Sequence, residues 1–304
     1  MLILFLVATI TMGFLVHALR APSVYARNTI GVQQMAMAKA ALIGRAAADA
    51  DRPGSLPCPD INNDGLADGP GTGATCTSYI GRFPWKTLGT TDFRDASGER
   101  LWYALAPALT DAAARQPINH QKALELTVNG TPNIAAILFA PGAPLPGQNG
   151  RPSNNAADYL DGANGDLDSD YVLQPVSENF NDQVMAITRD ELFTTVNRRI
   201  LSEIRGYDTQ PNGFSHGLRR YSHDNNTFPW ADTSTPRDGI GDNGQYSGSL
   251  PYGDLILGTA YSWLNANGWL QLVSYQLAAG SSSATIGLGT ATITVLPCPG
   301  TPCP

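Results

Sequence analysis

The chain has 304 residues, long enough to bury a sizeable core in one or two domains. It carries 19 Lys and Arg against 26 Asp and Glu, a net charge of −7, which argues against a nucleic-acid binder built on a basic stripe. Charged residues are only 15% while Gly numbers 31 and Pro 22, a mix that suits a loop-rich extracellular domain, and 42% apolar residues are too many for disorder.

The first predicted element is Met1 to Leu19, MLILFLVATITMGFLVHAL, which has no acidic or basic side chain and His17 as its one strongly polar member. As a helix it would span roughly 28 Å, about the thickness of a bilayer's hydrocarbon core. No Lys or Arg precedes the run, and Ala-Pro after Arg20 is a poor cleavage site, so it does not read as a secretory signal peptide. Pro22 removes a backbone donor and clashes with the preceding turn, which predicts a kink there. A helical pattern resumes over 23–52, with Val24, Ile30, Met35, Leu42 and Ile43 among alanines and with Arg20, Arg27, Lys39 and Arg45 as cations. Gly13, Gly31 and Gly44 would let backbones approach closely, and Pro53-Gly54 ends the pattern.

An apolar opening run, a helix-breaking Pro22 and an Ala-rich amphipathic half resemble the mature N-terminus of type IV pilins and type II secretion pseudopilins, over about residues 1 to 52. The resemblance implies a form whose basic leader has been cut away and whose new amino terminus, Met1, is methylated. It also implies residence in the inner membrane, then extraction into a cell-surface filament of a Gram-negative-type bacterium. Its partners are then identical or related pilin subunits in a helical homopolymer, and no enzyme activity or nucleic-acid binding is expected. Filament assembly would rest on Met1, Phe5, Gly13 and Pro22. Most of the family carries a glutamate near the start, where this chain has Phe5 and no acid before Asp49, as in some minor subunits. Two readings stand: a structural pilus subunit, and a minor pseudopilin or tip subunit of a secretion or pilus machine. The expected organisation is α+β. A long N-terminal helical stalk over 1–52, kinked near Pro22, carries a globular domain over 53–304 with an antiparallel sheet and long loop insertions.

Four cysteines, Cys58, Cys76, Cys298 and Cys303, are an even number beside an exported segment, which favours disulfides. Three connectivities exist, and proximity favours Cys58–Cys76 with Cys298–Cys303. A zinc site is the rival, but Cys58 and Cys76 have no CxxC partner and no nearby His. Between them, Asp60, Asn62, Asp64 and Asp68 stand at positions 1, 3, 5 and 9 of a loop with Gly65 at 6, the first half of a calcium loop. The glutamate of position 12 is replaced by Gly71, and the alternative is an Asx-rich turn. Asp161, Asn164, Asp166, Asp168 and Asp170 alternate in the same way, as a second calcium candidate or a solvated loop. Asp238 to Asp242 is a weaker third.

Further on, 95–98 reads as a turn and Leu101 to Leu105 as a strand, a piece that looks like part of some pseudopilin domains; Trp85 and Trp102 read as core. Residues 124–140 read as a hairpin about Asn129-Gly130, and 141–183 as a long surface excursion. Thr188 with Glu191 makes a capping box for a helix whose apolar face is Leu192, Phe193, Val196, Ile200, Leu201 and Ile204, ended by Gly206. Residues 207–253 read as loop, and 268–277 and 284–296 as strands. Gly213-Phe-Ser215-His216-Gly217 matches a nucleophile elbow, yet it follows a loop and leads into Leu-Arg-Arg-Tyr with no helical stretch expected. His120, His216 and His223 have no paired metal spacing.

Overall fold

The computed structural model describes residues 29–69, 75–111, 116–206 and 216–297. The apolar run 1–19, the expected kink at Pro22, Ser215, Cys298 and Cys303 lie outside them. The described residues divide into two compact units, one falling within 29–42, 57–110 and 124–187, the other within 43–56, 111–123 and 188–297.

The first helix, α1, covers residues 29–48. Met35, Ala38, Leu42 and Ala46 recur every three or four residues and are all within 1% of full burial, so one face of α1 is core. Its two cations bend back to the body. Lys39 Nζ donates to the Ala186 carbonyl at 3.1 Å, and Arg45 Nη1 pairs with Asp49 at 2.6 Å. Asp49 then ends the helix by accepting the Arg52 N–H at 2.8 Å.

The first unit is built on β1 (Ile80–Arg82), β2 (Trp102–Leu105), β3 (Leu126–Val128), β4 (Thr131–Ala140), β5 (Asp170–Tyr171) and β6 (Gln183–Thr188). Their order is β1-β2-β4-β3-β5, with β6 also on β4, and β3 and β5 run parallel. β4 is the spine. Its run Ile134 to Ala140 is buried at every position, so it reads as continuous apolar sequence rather than as alternation. The β3–β4 turn places Asn129 and Gly130 at φ 49° and 73°, the left-handed pair that a tight hairpin demands. Trp102 and Tyr159 pack at 5.2 Å between centroids, and Phe139 and Tyr171 at 5.3 Å. Trp85, by contrast, is only half-buried.

The second unit begins with α2 (Arg189–Arg205), followed by α3 (Gly217–Asn225), β7 (Ser247–Ser249), α4 (Ala260–Ala266), β8 (Ser274–Leu277), β9 (Ala284–Leu288) and β10 (Ala291–Val295). The N-cap is present: Thr188 Oγ1 accepts the Glu191 N–H at 3.2 Å, and Gly206 closes α2 at φ 85°. All six expected apolar residues of α2 are buried, and the helix packs on β9 and β10 of an antiparallel β10-β9-β8-β7 sheet. Phe193 meets Trp269 at 5.9 Å.

Two expectations are corrected. The α+β body on a long helical stalk is not what the described residues form. They hold ten strands in two sheets, and α1 is a short helix with a core face built into the body, because Met35, Ala38, Leu42 and Ala46 fall on one buried stripe. No helix among the described residues is long and apolar enough to cross a membrane. The second correction is α3, which forms where loop was expected. A side chain at Gly206 would lie 2.1 Å from the His216 carbonyl, and one at Gly217 would lie 2.5 Å from that of Ile204. This close backbone approach seats the start of α3 against the end of α2.

Candidate functional site

The 58–76 segment is stapled by a disulfide between Cys58 and Cys76, with an S–S distance of 2.00 Å. Inside this loop Asp60 is fully buried and exchanges both backbone hydrogen bonds with Arg82. Its carboxylate accepts the N–H of Asn63 at 2.6 Å and of Gly65 at 2.8 Å. Asp68 accepts the N–H of Ile61 at 2.6 Å and the Asn62 side-chain amide at 3.1 Å. Asn62 Oδ1 takes the Asp64 N–H, and Asp64 takes that of Leu66. Gly65, at φ 88°, is required because a Cβ there would lie 2.5 Å from Trp85 Nε1. Burial raises the Asp60 pKa, the two N–H bonds oppose it, and Asp64 and Asp68 add to the rise. The structure thus brings Asp60, Asn62, Asp64 and Asp68 together as a hydrogen-bonded Asx cage. Its donors are all oxygen, as a hard cation needs, but both Asp60 oxygens and both Asp68 oxygens already hold hydrogen bonds.

The second loop divides. Asp166, Asp168 and Asp170 are exposed, whereas Asp161 and Asn164 are buried. The two buried residues join a residue that sequence reasoning missed, Asp182, which is 1% exposed. The Asp161 N–H donates to Asp182 Oδ2 at 2.8 Å, and the Asp182 N–H returns the bond to Asp161 Oδ2 at 3.2 Å. Asn164 Nδ2 adds a bond to Asp182 Oδ2 at 3.0 Å, and Gln148 Nε2 reaches Asp161 Oδ1 at 2.8 Å. Asp182 Oδ1 is buried without a hydrogen-bond partner. Nearby Arg151 spends its donors on the carbonyls of Asp158, Gly142 and Tyr159 and on Gln148, with Glu99 at 3.5 Å. Burial therefore dominates both acids. It raises Asp161 and pushes Asp182 up to about 7, with the neighbouring Asp161 charge adding to the Asp182 rise. What this pair does structurally is clamp two loops together.

Among the described residues no group of three or more His, Cys, Asp or Glu side chains is arranged to hold a metal ion. Of the elbow motif, His216 is described. It is buried, with Nε2 3.4 Å from Glu203 Oε1, and that contact holds the Glu203 carboxyl below its ordinary pKa. Asp238 and Asp242 close local turns, Asp242 accepting the Thr233 N–H at 2.7 Å.

No family model, curated protein or solved structure matches this chain.

Proposed function

We propose that this chain is a structural subunit of a type IV pilus-like extracellular filament, assembled through its apolar N-terminal segment. The observation that carries this reading is the outward face of α1. Ala36, Ala40, Gly44 and Ala48 are exposed at four-residue spacing, with Ile30 and Met37 at 44% and 45% exposure beside them. Lys39 and Arg45 turn to the body, so this face is uncharged, and it continues in sequence from the apolar run 1–19. Small residues in such a stripe let helices of neighbouring copies approach closely, and contact there would take Ile30 and Met37 out of water.

In this reading the subunit waits in the inner membrane, reaches the cell surface in the fibre, and meets other pilin subunits as its partners. It performs no catalysis. Calcium at the loop of Asp60, Asn62, Asp64 and Asp68 is not part of this reading, since the Asp60 and Asp68 carboxylates are already taken up by N–H donors. Phe5, in the position where most of the resembled family has glutamate, favours a second reading: a minor pseudopilin or tip subunit present in few copies.

Gly44→Glu tests the first reading. A Cβ at Gly44 meets nothing within 4 Å, so the body should fold with unchanged or slightly raised thermal stability while fibres are lost. Normal fibre yield from this variant would overturn the role of the α1 face.

A further inference from the structure

The first unit carries a groove of about 350 Å³ that neither loop network uses. Its floor is apolar, made by Ile80, Pro107, Leu126 and Tyr171. Its rim includes Glu125, Leu167 and Asp168. Leu167 is 60% exposed and sits at φ 68°, a left-handed backbone that a leucine side chain disfavours. The loop thus holds a large aliphatic side chain out in water at a conformational cost.

The charge around this apolar centre is one-signed. Glu125, Asp166, Asp168 and Asp170 are all exposed, and none forms an ion pair among the described residues. The Asp166, Asp168 and Asp170 carboxylates accept only the N–H groups of Asp168 and Asp170 and the Thr127 hydroxyl. Buried Tyr171 registers the field, since its hydroxyl pKa is raised by burial first and then by Asp168 and Asp166.

An apolar centre ringed by unpaired carboxylates fits a segment with apolar side chains between cations. The chain's own sequence contains one in Arg20–Arg27, RAPSVYAR, where two guanidiniums flank Pro22, Val24 and Tyr25, and no acid occurs anywhere before Asp49. We propose that the groove takes the Arg20–Arg27 segment of a second copy of this chain, Val24 and Tyr25 meeting Leu167 and the apolar floor while the arginines meet the carboxylate rim. The choice of a second copy rests on the filament reading, in which neighbours stand side by side.

The test is titration of the purified full-length chain with a synthetic peptide of residues 18–29, followed by calorimetry. Saturable binding is expected, weakened about ten-fold or more by Leu167→Asn, by the pair Asp166→Asn and Asp168→Asn, and by raising salt from ~0.05 M to ~0.5 M. Asn accepts a left-handed backbone more readily than Leu, and Asn at 166 and 168 keeps the N–H acceptor, so these variants should melt with the wild type. No binding at ~1 mM peptide, binding that the variants leave unchanged, or equal binding of a scrambled peptide of the same charge would each overturn the proposal. Occupation of the groove by the same chain's own segment would show as absent peptide binding, and overturns it too. The filament reading is judged separately: fibres without peptide binding sink only the groove, and peptide binding without fibres sinks only the filament.

Discussion

Asp182 shows how one side chain can set the response of a loop region to pH. It is buried with one oxygen unpartnered, and it shares reciprocal N–H bonds with a second buried acid, Asp161. Its folded pKa of about 7 lies above the ordinary 3.8. A group raised in this way contributes stability that is fully present below the unfolded pKa and is lost as pH rises through the folded one. Stability should therefore fall between about pH 4 and pH 7 and level off above, by up to a few kcal/mol. Asp182→Asn keeps an acceptor for the Asp161 and Asn164 donors and removes the titration. Denaturant midpoints should place the variant above the wild type at pH 8 and level with it near pH 4. An equal difference at both pH values would refute the assignment. The sequence offered no local sign of this pair, because Asp182 stands 21 residues from Asp161 in a stretch with no pattern of its own. The Asx cage at 60–68 was legible, since all its bonds close within one loop and the residue types at alternating positions name it.

Elements with a local signal are legible in the sequence, as are β2, β8, β9 and β10, whereas α3, β1, β5 and β7 are not. α2 announces itself by a cap, a 3.6-residue apolar stripe and a terminal glycine, and the β3–β4 hairpin by Asn129-Gly130. α3 has only Gly217, Leu218 and Ser222 buried in nine residues, too little periodicity to see, and its place comes from the glycine contacts at the end of α2. β1, β5 and β7, of two or three residues each, are likewise fixed by pairing partners far along the chain. At this scale Thr188→Ala removes the Oγ1 that accepts the Glu191 N–H, and should cost about 1 kcal/mol in denaturant unfolding. Thr188→Ser, which keeps the hydroxyl, should stay close to the wild type. A loss from Thr188→Ser equal to that from Thr188→Ala would mean that the hydroxyl is not what matters.

For the molecule as a whole, the apolar run 1–19 and the uncharged outer face of α1 sit in one chain with a net charge of −7 and a disulfide-stapled loop. A body that is acidic and loop-rich suits a surface bathed in water. An uncovered small-residue stripe suits contact with copies of the same chain. The stalk expected from the N-terminal pattern failed over 29–48 for a physical reason: a stripe that buries Met35, Ala38, Leu42 and Ala46 makes that segment part of the body's core. What stays free is the opposite face, and it is there that assembly is proposed. The most direct measurement is mass spectrometry of surface fibres sheared from cells that express the chain. This account predicts the 32.2 kDa chain as a fibre component in the wild type and its loss from fibres in Gly44→Glu. A chain found only as isolated copies in the membrane fraction, with no like neighbours on crosslinking, would contradict it.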